Sequence, residues 1–100
     1  MATEIKNELL NMCKELARSI IDPPEDWFEE HEVLDIEYTI ARDGTYLGAR
    51  LLMTFGGPNI YINTRTKEVE GYWGTDKATA YFIDNVGLDD WFAEDYEASR

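Results

Sequence analysis

Apolar and polar side chains alternate from Leu34 to Ile40, which predicts a strand with one buried face. Asp43-Gly44 follows, and this pair favours a two-residue hairpin turn. The turn sets Glu37 opposite Arg50 on the outer face, where opposite charges attract. The predicted apolar pairs of the inner face are Ile40 with Leu47, Tyr38 with Ala49, Ile36 with Leu51, and Leu34 with Met53.

A second hairpin is predicted after Gly56-Gly57-Pro58-Asn59, because two glycines, a proline and an asparagine favour a turn. Its first strand runs from Ile60 to Arg65, and Thr66-Lys67 forms the turn. The predicted pairs are Arg65 with Glu68, Thr64 with Val69, Ile62 with Gly71, and Ile60 with Trp73. The outer face then carries Tyr61 and Tyr72 side by side.

Apolar residues at spacings of three and four predict a helix from about Thr3 to Ile21. Asp22-Pro23-Pro24 ends it, because the residue before a proline disfavours helical geometry. The stripe could form a dimer seam, but a small sheet needs a cover, and we favour that interpretation. Its members are Ile5, Leu9, Met12, Cys13, Leu16, Ala17 and Ile20.

Three further helical segments are predicted. Asp22 can cap a short acidic helix that carries Trp27 and Phe28, with Pro23 at its first position. After Gly74-Thr75-Asp76, a helix is predicted from about Lys77 to Asn85, with Gly87 at its exit. A last acidic helix runs from about Leu88 to Ala98.

The predicted fold class is therefore α+β, in a single domain spanning residues 1–100. A four-stranded antiparallel meander is covered by the N-terminal helix. Short acidic helices lie before the sheet and at the C-terminus.

The negative charge is unevenly distributed along the chain. The formal net charge is −12. Residues 22–37 hold eight acids and no Lys or Arg, and residues 84–100 hold six acids against Arg100 alone. This segregation argues against direct nucleic-acid binding, which needs clustered basic residues. It also differs from a charge pattern that serves solubility alone.

The sequence predicts neither an enzyme nor a cofactor or metal protein. It has no Walker loop, dinucleotide fingerprint, zinc-ligand spacing or nucleophile elbow. His31 has no evident catalytic partner, and Asp84, Asp89 and Asp90 do not follow the calcium-loop order. Cys13 allows no internal disulfide, and no segment is typical of a membrane span or signal peptide, so we expect a cytoplasmic protein.

The leading hypothesis is that the two acidic regions imitate the charge of nucleic acid and bind the basic groove of a nucleic-acid-handling protein. Such binding would be fast and would weaken with salt. The predicted contact residues are Glu25, Asp26, Glu29, Glu30, Glu32, Asp89, Asp90, Glu94, Asp95 and Glu97.

The alternative is an interaction module of a phage or mobile element that uses the outer sheet face. There Tyr61, Tyr72 and Leu52 form an aromatic patch suited to protein contacts, and acidity serves solubility. Because the helix stripe and this patch are both possible seams, monomer and homodimer stay open. Neither hypothesis involves a membrane.

One segment resembles a known group of proteins. The stretch Phe55-Gly56-Gly57-Pro58-Asn59-Ile60-Tyr61-Ile62-Asn63-Thr64, continued by Glu68-Val69-Glu70-Gly71-Tyr72-Trp73-Gly74, resembles small proteins of phages and other mobile elements. In size and acidity the chain also resembles anti-CRISPR and antirestriction inhibitors. The resemblance implies a non-enzymatic inhibitor that acts in the host cell on a CRISPR effector or another nucleic-acid enzyme of host defence.

Overall fold

The computed structural model describes residues 2–100; the side chains of Ala2, Thr3 and Ile5 lie outside the described part, so the predicted role of Ile5 does too. The elements, in chain order, are α1 (Ala2–Ile21), α2 (Trp27–Glu30), β1 (Asp35–Ile40), β2 (Tyr46–Thr54), β3 (Asn59–Asn63), β4 (Glu68–Trp73), β5 (Asp76–Tyr81) and α3 (Leu88–Ala98). The strands form one antiparallel sheet in the order β1-β2-β3-β4-β5. The α+β meander is confirmed, but it has five strands rather than four.

The N-terminal helix α1 covers β4 and β5, as the stripe predicted. The α1 residues Leu9, Cys13, Ala17 and Ile20 are buried against the sheet. The helix lies close to the sheet because Gly71 has no side chain. A Cβ at Gly71 would lie 2.6 Å from Cys13 Sγ and 2.8 Å from Leu9 Cδ1.

The helix predicted from Lys77 to Asn85 is wrong, because β5 occupies most of that segment. Ala78, Ala80 and Phe82 are buried in alternation with more exposed neighbours. Alanine is the best helix former, but tertiary context often overrides intrinsic propensity, and pairing with β4 under α1 does so here. Small residues suit this position because they let α1 approach.

The first hairpin has the predicted register from Asp35 to Thr39, including Glu37 opposite Arg50. Its loop was predicted wrongly: Ala41 N–H donates to Thr45 O at 2.8 Å, which leaves three loop residues that end at Gly44, with φ 92°. An irregularity after Thr39 absorbs the extra residue. The corrected pairing is Ile40 with Tyr46 instead of Leu47, and the Leu34 N–H donates to Leu52 O rather than pairing Leu34 with Met53.

The second hairpin is shifted by two residues from the prediction, with Ile62 opposite Val69 and Ile60 opposite Gly71. The Thr66-Lys67 turn is therefore replaced by a longer loop. Asn63 explains the longer loop, because its Oδ1 accepts the backbone N–H groups of Arg65 at 3.0 Å and Thr66 at 3.1 Å. Since a shift of two keeps every side chain on its face, the predicted inner and outer faces survive.

Both acidic helices exist, and α3 has the predicted bounds, whereas α2 starts later than predicted. Asp26, not Asp22, caps α2: its Oδ1 accepts the Glu29 N–H at 3.2 Å. Gly87, with φ 83°, leads into α3 instead of closing an earlier helix. The Asp84 carboxylate caps α3 by accepting the N–H groups of Gly87, Leu88 and Asp89 at 2.9, 2.8 and 2.9 Å.

The second cover of the sheet is α3, which packs on β2. Its Leu88 and Phe92 join the same buried core as the α1 stripe. Because α1, α2 and α3 all contribute buried residues to this one core, no helix between residues 2 and 100 remains to cover the other face of the sheet. Within the same residues, no helix is long and apolar enough to cross a membrane.

Candidate functional site

The two acidic regions meet in space through their aromatic residues. The Phe28 ring lies 5.0 Å from that of Trp91 and 6.1 Å from that of Phe92, measured between centroids. Residues 25–32 and α3 are therefore neighbours, although more than fifty residues separate them in the chain. We call the exposed side of these two segments the acidic surface.

In the first segment, α2 is fixed by Trp27. This side chain is buried, and its Nε1–H donates to Ser19 Oγ at 3.0 Å. The His31 ring stacks on Trp27 with centroids 4.5 Å apart, and His31 Nδ1 lies 3.0 Å from Trp27 O. These contacts fix the four-residue helix to the body of the protein. The carboxylates of the helix and its flanks are exposed: Glu25, Asp26, Glu29, Glu30 and Glu32.

In the second segment, the predicted contact residues divide into two groups. Asp90, Glu94 and Glu97 are exposed, and Glu97 pairs with Arg100 at 3.3 Å. Asp89 and Asp95 are half-buried and accept hydrogen bonds from the sheet. Six predicted acids are therefore both exposed and without a protein partner within residues 2–100: Glu25, Glu29, Glu30, Glu32, Asp90 and Glu94.

Hydroxyl groups of the first hairpin attach α3 to the sheet. The Tyr38 hydroxyl donates to Asp95 Oδ2 at 2.6 Å, and the Tyr46 hydroxyl donates to Asp89 Oδ1 at 3.0 Å. Burial, aided by the neighbouring aspartate, raises the pKa of Tyr38 to about 12, and burial together with Asp89 does the same for Tyr46. Asp89 and Asp95 therefore help to hold α3 on the sheet, in addition to carrying negative charge.

Thr64 completes this attachment. It is fully buried; its hydroxyl donates to Asp89 Oδ1 at 2.8 Å and accepts the Ala49 N–H at 2.9 Å. Thr64 therefore joins β2 to α3 rather than pairing with Val69. The sequence offered one signal for this network: an inward-facing tyrosine, such as Tyr38, needs a hydrogen-bond partner.

Grooves flank the acidic surface. One of about 710 Å³ is lined by Pro24, Glu25, Asp26, Glu29 and Glu30, and it is polar. Another of about 370 Å³ runs between the segments and is lined by Glu32 and Asp95 together with Phe28 and Trp91. The second groove brings carboxylates of both regions into one recess.

The outer face of the sheet carries a network centred on Arg50. Arg50 Nη2 lies 3.2 Å from Glu70 Oε1, and the guanidinium lies 3.6 Å from the centroid of the Tyr61 ring. The rings of Tyr61 and Tyr72 are 6.1 Å apart, as the predicted patch requires, with half-buried Leu52 opposite Tyr61.

Arg50 uses Glu70 as its ion-pair partner instead of the predicted Glu37. Burial works against the charged form of Glu70, but hydrogen bonds from Asn63 and Tyr72 and the charge of Arg50 prevail and lower its pKa. The Arg50 side chain therefore covers part of the aromatic patch and is already paired with Glu70.

Between residues 2 and 100, no three His, Cys, Asp or Glu side chains are grouped to hold a metal ion. Burial raises the pKa of the Cys13 thiol to about 11, which keeps it protonated at neutral pH. The absence of enzymatic activity stays a prediction.

Neither a protein-family model, nor a curated protein, nor a solved structure matches the chain. The resemblance to anti-CRISPR and antirestriction inhibitors therefore stays a prediction.

Proposed function

We propose that the protein is a non-enzymatic inhibitor that binds a nucleic-acid-handling complex of host defence, with a CRISPR effector as the first candidate. The acidic surface occupies the basic groove that otherwise receives nucleic acid. The observation that supports this most is the contact between Phe28 and Trp91, because it joins two acidic regions into one surface.

The rigidity of this surface favours such binding. Trp27 and Phe92 are buried, so the helices that carry the carboxylates are held before a partner arrives. Less conformational entropy is then lost on binding. Residues 22–37 contain no Lys or Arg, and within residues 2–100 their carboxylates form no ion pair, so no ion pair cancels the negative charge of that segment. A negative field of this kind speeds encounter with a basic groove.

Charge reversal tests the proposal. One variant combines Glu25→Lys with Glu29→Lys, a second combines Asp90→Lys with Glu94→Lys, and the control combines Glu4→Lys with Glu8→Lys on exposed positions of α1. Each reversed contact is worth roughly 1 kcal/mol or less, so each double variant should bind a purified effector on the order of tenfold more weakly.

Binding should be measured at low and high salt and in competition with the effector's guide RNA or target DNA. The control should retain its affinity, and nucleic acid should displace the wild-type protein. Equal weakening by the control would mean that only net charge matters. Unchanged binding by both surface variants would exclude the acidic surface.

The second candidate is an interaction module that binds through Tyr61, Tyr72 and Leu52. It is supported by the outer sheet face, which no helix between residues 2 and 100 covers. Tyr61→Ala combined with Tyr72→Ala should abolish binding in this mode and leave it intact in the acidic mode. Salt separates them further, because aromatic contacts resist salt and charge contacts do not.

A further inference from the structure

An open groove lies between α1 and the segment that links α2 to β1. Its volume is about 430 Å³, and its apolar lining comes from three parts of the chain. Met12 and Leu16 form one wall, Leu34 forms the other, and Met53 and Ile60 form the floor. We call it the methionine groove. It exists because α1 covers β4 and β5 while α3 packs on β2, which leaves inner-face side chains open between them.

Carboxylates surround this apolar lining. Glu15 stands on α1, and Glu30 and Glu32 stand on the opposite side, with His31 between them. No Lys or Arg in the part of the chain that the structure describes lines the groove. Glu30 also lines the polar groove of the acidic surface, so the two grooves share this residue. An occupant must therefore combine an apolar side with positive charge at its edges.

Two features favour a helix as the occupant. Met12 and Leu16 are four residues apart on α1 and form a ridge of the kind that packs against a second helix. Met12 and Met53 are flexible and polarisable, which suits a surface that adapts to an incoming apolar side chain. Amphipathic helices bind such grooves through apolar anchors at helical spacing.

We propose that the methionine groove binds a basic amphipathic helix of the partner protein. Apolar side chains of that helix enter between Met12 and Met53, and its Lys or Arg residues pair with Glu15, Glu30 and Glu32. The inference rests on the proposed function, because it names the element of the basic partner that contacts this part of the acidic surface.

The methionine methyl groups report on occupancy directly. The chain has three methionines, and Met12 and Met53 both line the groove. The probe is a synthetic helical peptide of Leu and Lys, and the control peptide has the same Lys residues with Ser in place of Leu. The Leu peptide should shift both methyl resonances of the isotope-labelled protein, and the Ser peptide should leave them in place.

A pair of leucine variants separates groove binding from charge attraction. Leu34→Asp places a carboxylate in the groove, and Leu47→Asp makes the same change outside its lining; the two leucines are 42% and 37% exposed, so both variants should fold. The negative charge added by Leu34→Asp would by itself attract the Lys-containing peptide. The variant should nevertheless bind the peptide about tenfold more weakly, because an apolar contact is lost. Leu47→Asp should bind like the wild type.

Equal shifts by the two peptides, or equal affinity of the two variants, would overturn the inference. Methyl shifts that grow with protein concentration in the absence of peptide would also overturn it, in favour of a second copy of the chain in the groove. If Leu34→Asp binds the effector normally while charge reversal at Glu25 and Glu29 abolishes binding, the groove inference fails and the proposed function stands.

Discussion

The same three residues, Asp-Trp-Phe, occur at 26–28 and at 90–92, and the fold uses them in opposite ways. In the first copy the tryptophan is buried, with Trp27 only 3% exposed, and Phe28 is half-buried. In the second copy the phenylalanine is buried, with Phe92 2% exposed, while Trp91 is 48% exposed. Phe28 and Trp91, the less buried member of each pair, contact each other.

The difference shows that local sequence sets the composition of a short acidic helix but not its orientation. Before the first copy, the chain leaves α1 close to Ser19, whose hydroxyl accepts the Trp27 Nε1–H. The second copy lies on a helix that hydrogen bonds from Tyr38 and Tyr46 fix to the sheet. The tertiary attachment of each segment therefore decides which ring is buried and which carboxylates stay exposed.

Alanine substitution of the two tryptophans is expected to give the largest contrast. Trp27→Ala should lower the free energy of unfolding by about 3–5 kcal/mol, because it removes a buried aromatic side chain and leaves a cavity. Trp91→Ala should cost about 1 kcal/mol, since half of its surface is already in water. Urea unfolding followed by circular dichroism measures both. Similar losses of stability in the two variants would contradict the difference in burial between Trp27 and Trp91.

The second-largest contrast in stability is expected between alanine variants of the neighbouring α3 residues Asp89 and Asp90. Asp89→Ala removes the acceptor shared by Tyr46 and Thr64, so unfolding should become easier by about 1–3 kcal/mol. Asp90→Ala changes an exposed side chain and should stay within about 0.5 kcal/mol of the wild type. The same urea titration applies, and equal effects would show that the hydroxyl contacts to Asp89 add no stability.

Alkaline pH should loosen the attachment of the second acidic segment. The pKa values of Tyr38 and Tyr46 rise from 10.0 to about 12 on folding, so the folded state favours their neutral forms. This stability is fully present below pH 10 and is lost as the pH rises through about 12. Urea midpoints across this window should fall for the wild type.

Two phenylalanine substitutions provide the control for this titration. Tyr38→Phe and Tyr46→Phe remove the titrating hydroxyls, so the combined variant should lose less stability over the same pH window. An equally steep loss in that variant would assign the alkaline effect to other groups.

The smallest expected effect on stability lies in the first acidic segment. Glu25→Gln and Glu29→Gln change exposed carboxylates, so the free energy of unfolding should move by no more than about 0.5 kcal/mol. Binding to a basic partner should nevertheless weaken and lose part of its salt dependence. A large loss of stability would show that these carboxylates support the fold instead of staying available to a partner.

Much of the fold could be predicted from residue order, with errors that have physical causes. The alternation around Tyr38 set the first register correctly, but a bulge after Thr39 shifted its end. The Asn63 side chain lengthened the second loop by hydrogen bonding to the backbone of Arg65 and Thr66. At β5, the apolar residues Ala78, Ala80 and Phe82 alternate with other residues in the sequence, and the structure buries all three. The helix preference of alanine favoured a helix instead and led to the wrong prediction.

The candidate site was predictable in composition and not in arrangement. The positions of the acids follow from the sequence, yet Asp89 and Asp95 engage tyrosines that lie more than forty residues away. The methionine groove had no sequence signal either, because its lining comes from α1, from Leu34 and from β2 and β3. Side chains so far apart in the chain become neighbours only when the sheet and helices pack.

The sequence by itself determined the α1 stripe, most of the strands, the inner and outer faces of the sheet and the segregation of charge. These properties are local, since they depend on periodicity, turn residues and composition within a few positions. The tertiary structure alone decided that the acidic regions adjoin, which of their carboxylates stay exposed, and where an apolar groove remains open. Those properties depend on contacts between distant segments, and local sequence patterns do not reveal these individual contacts.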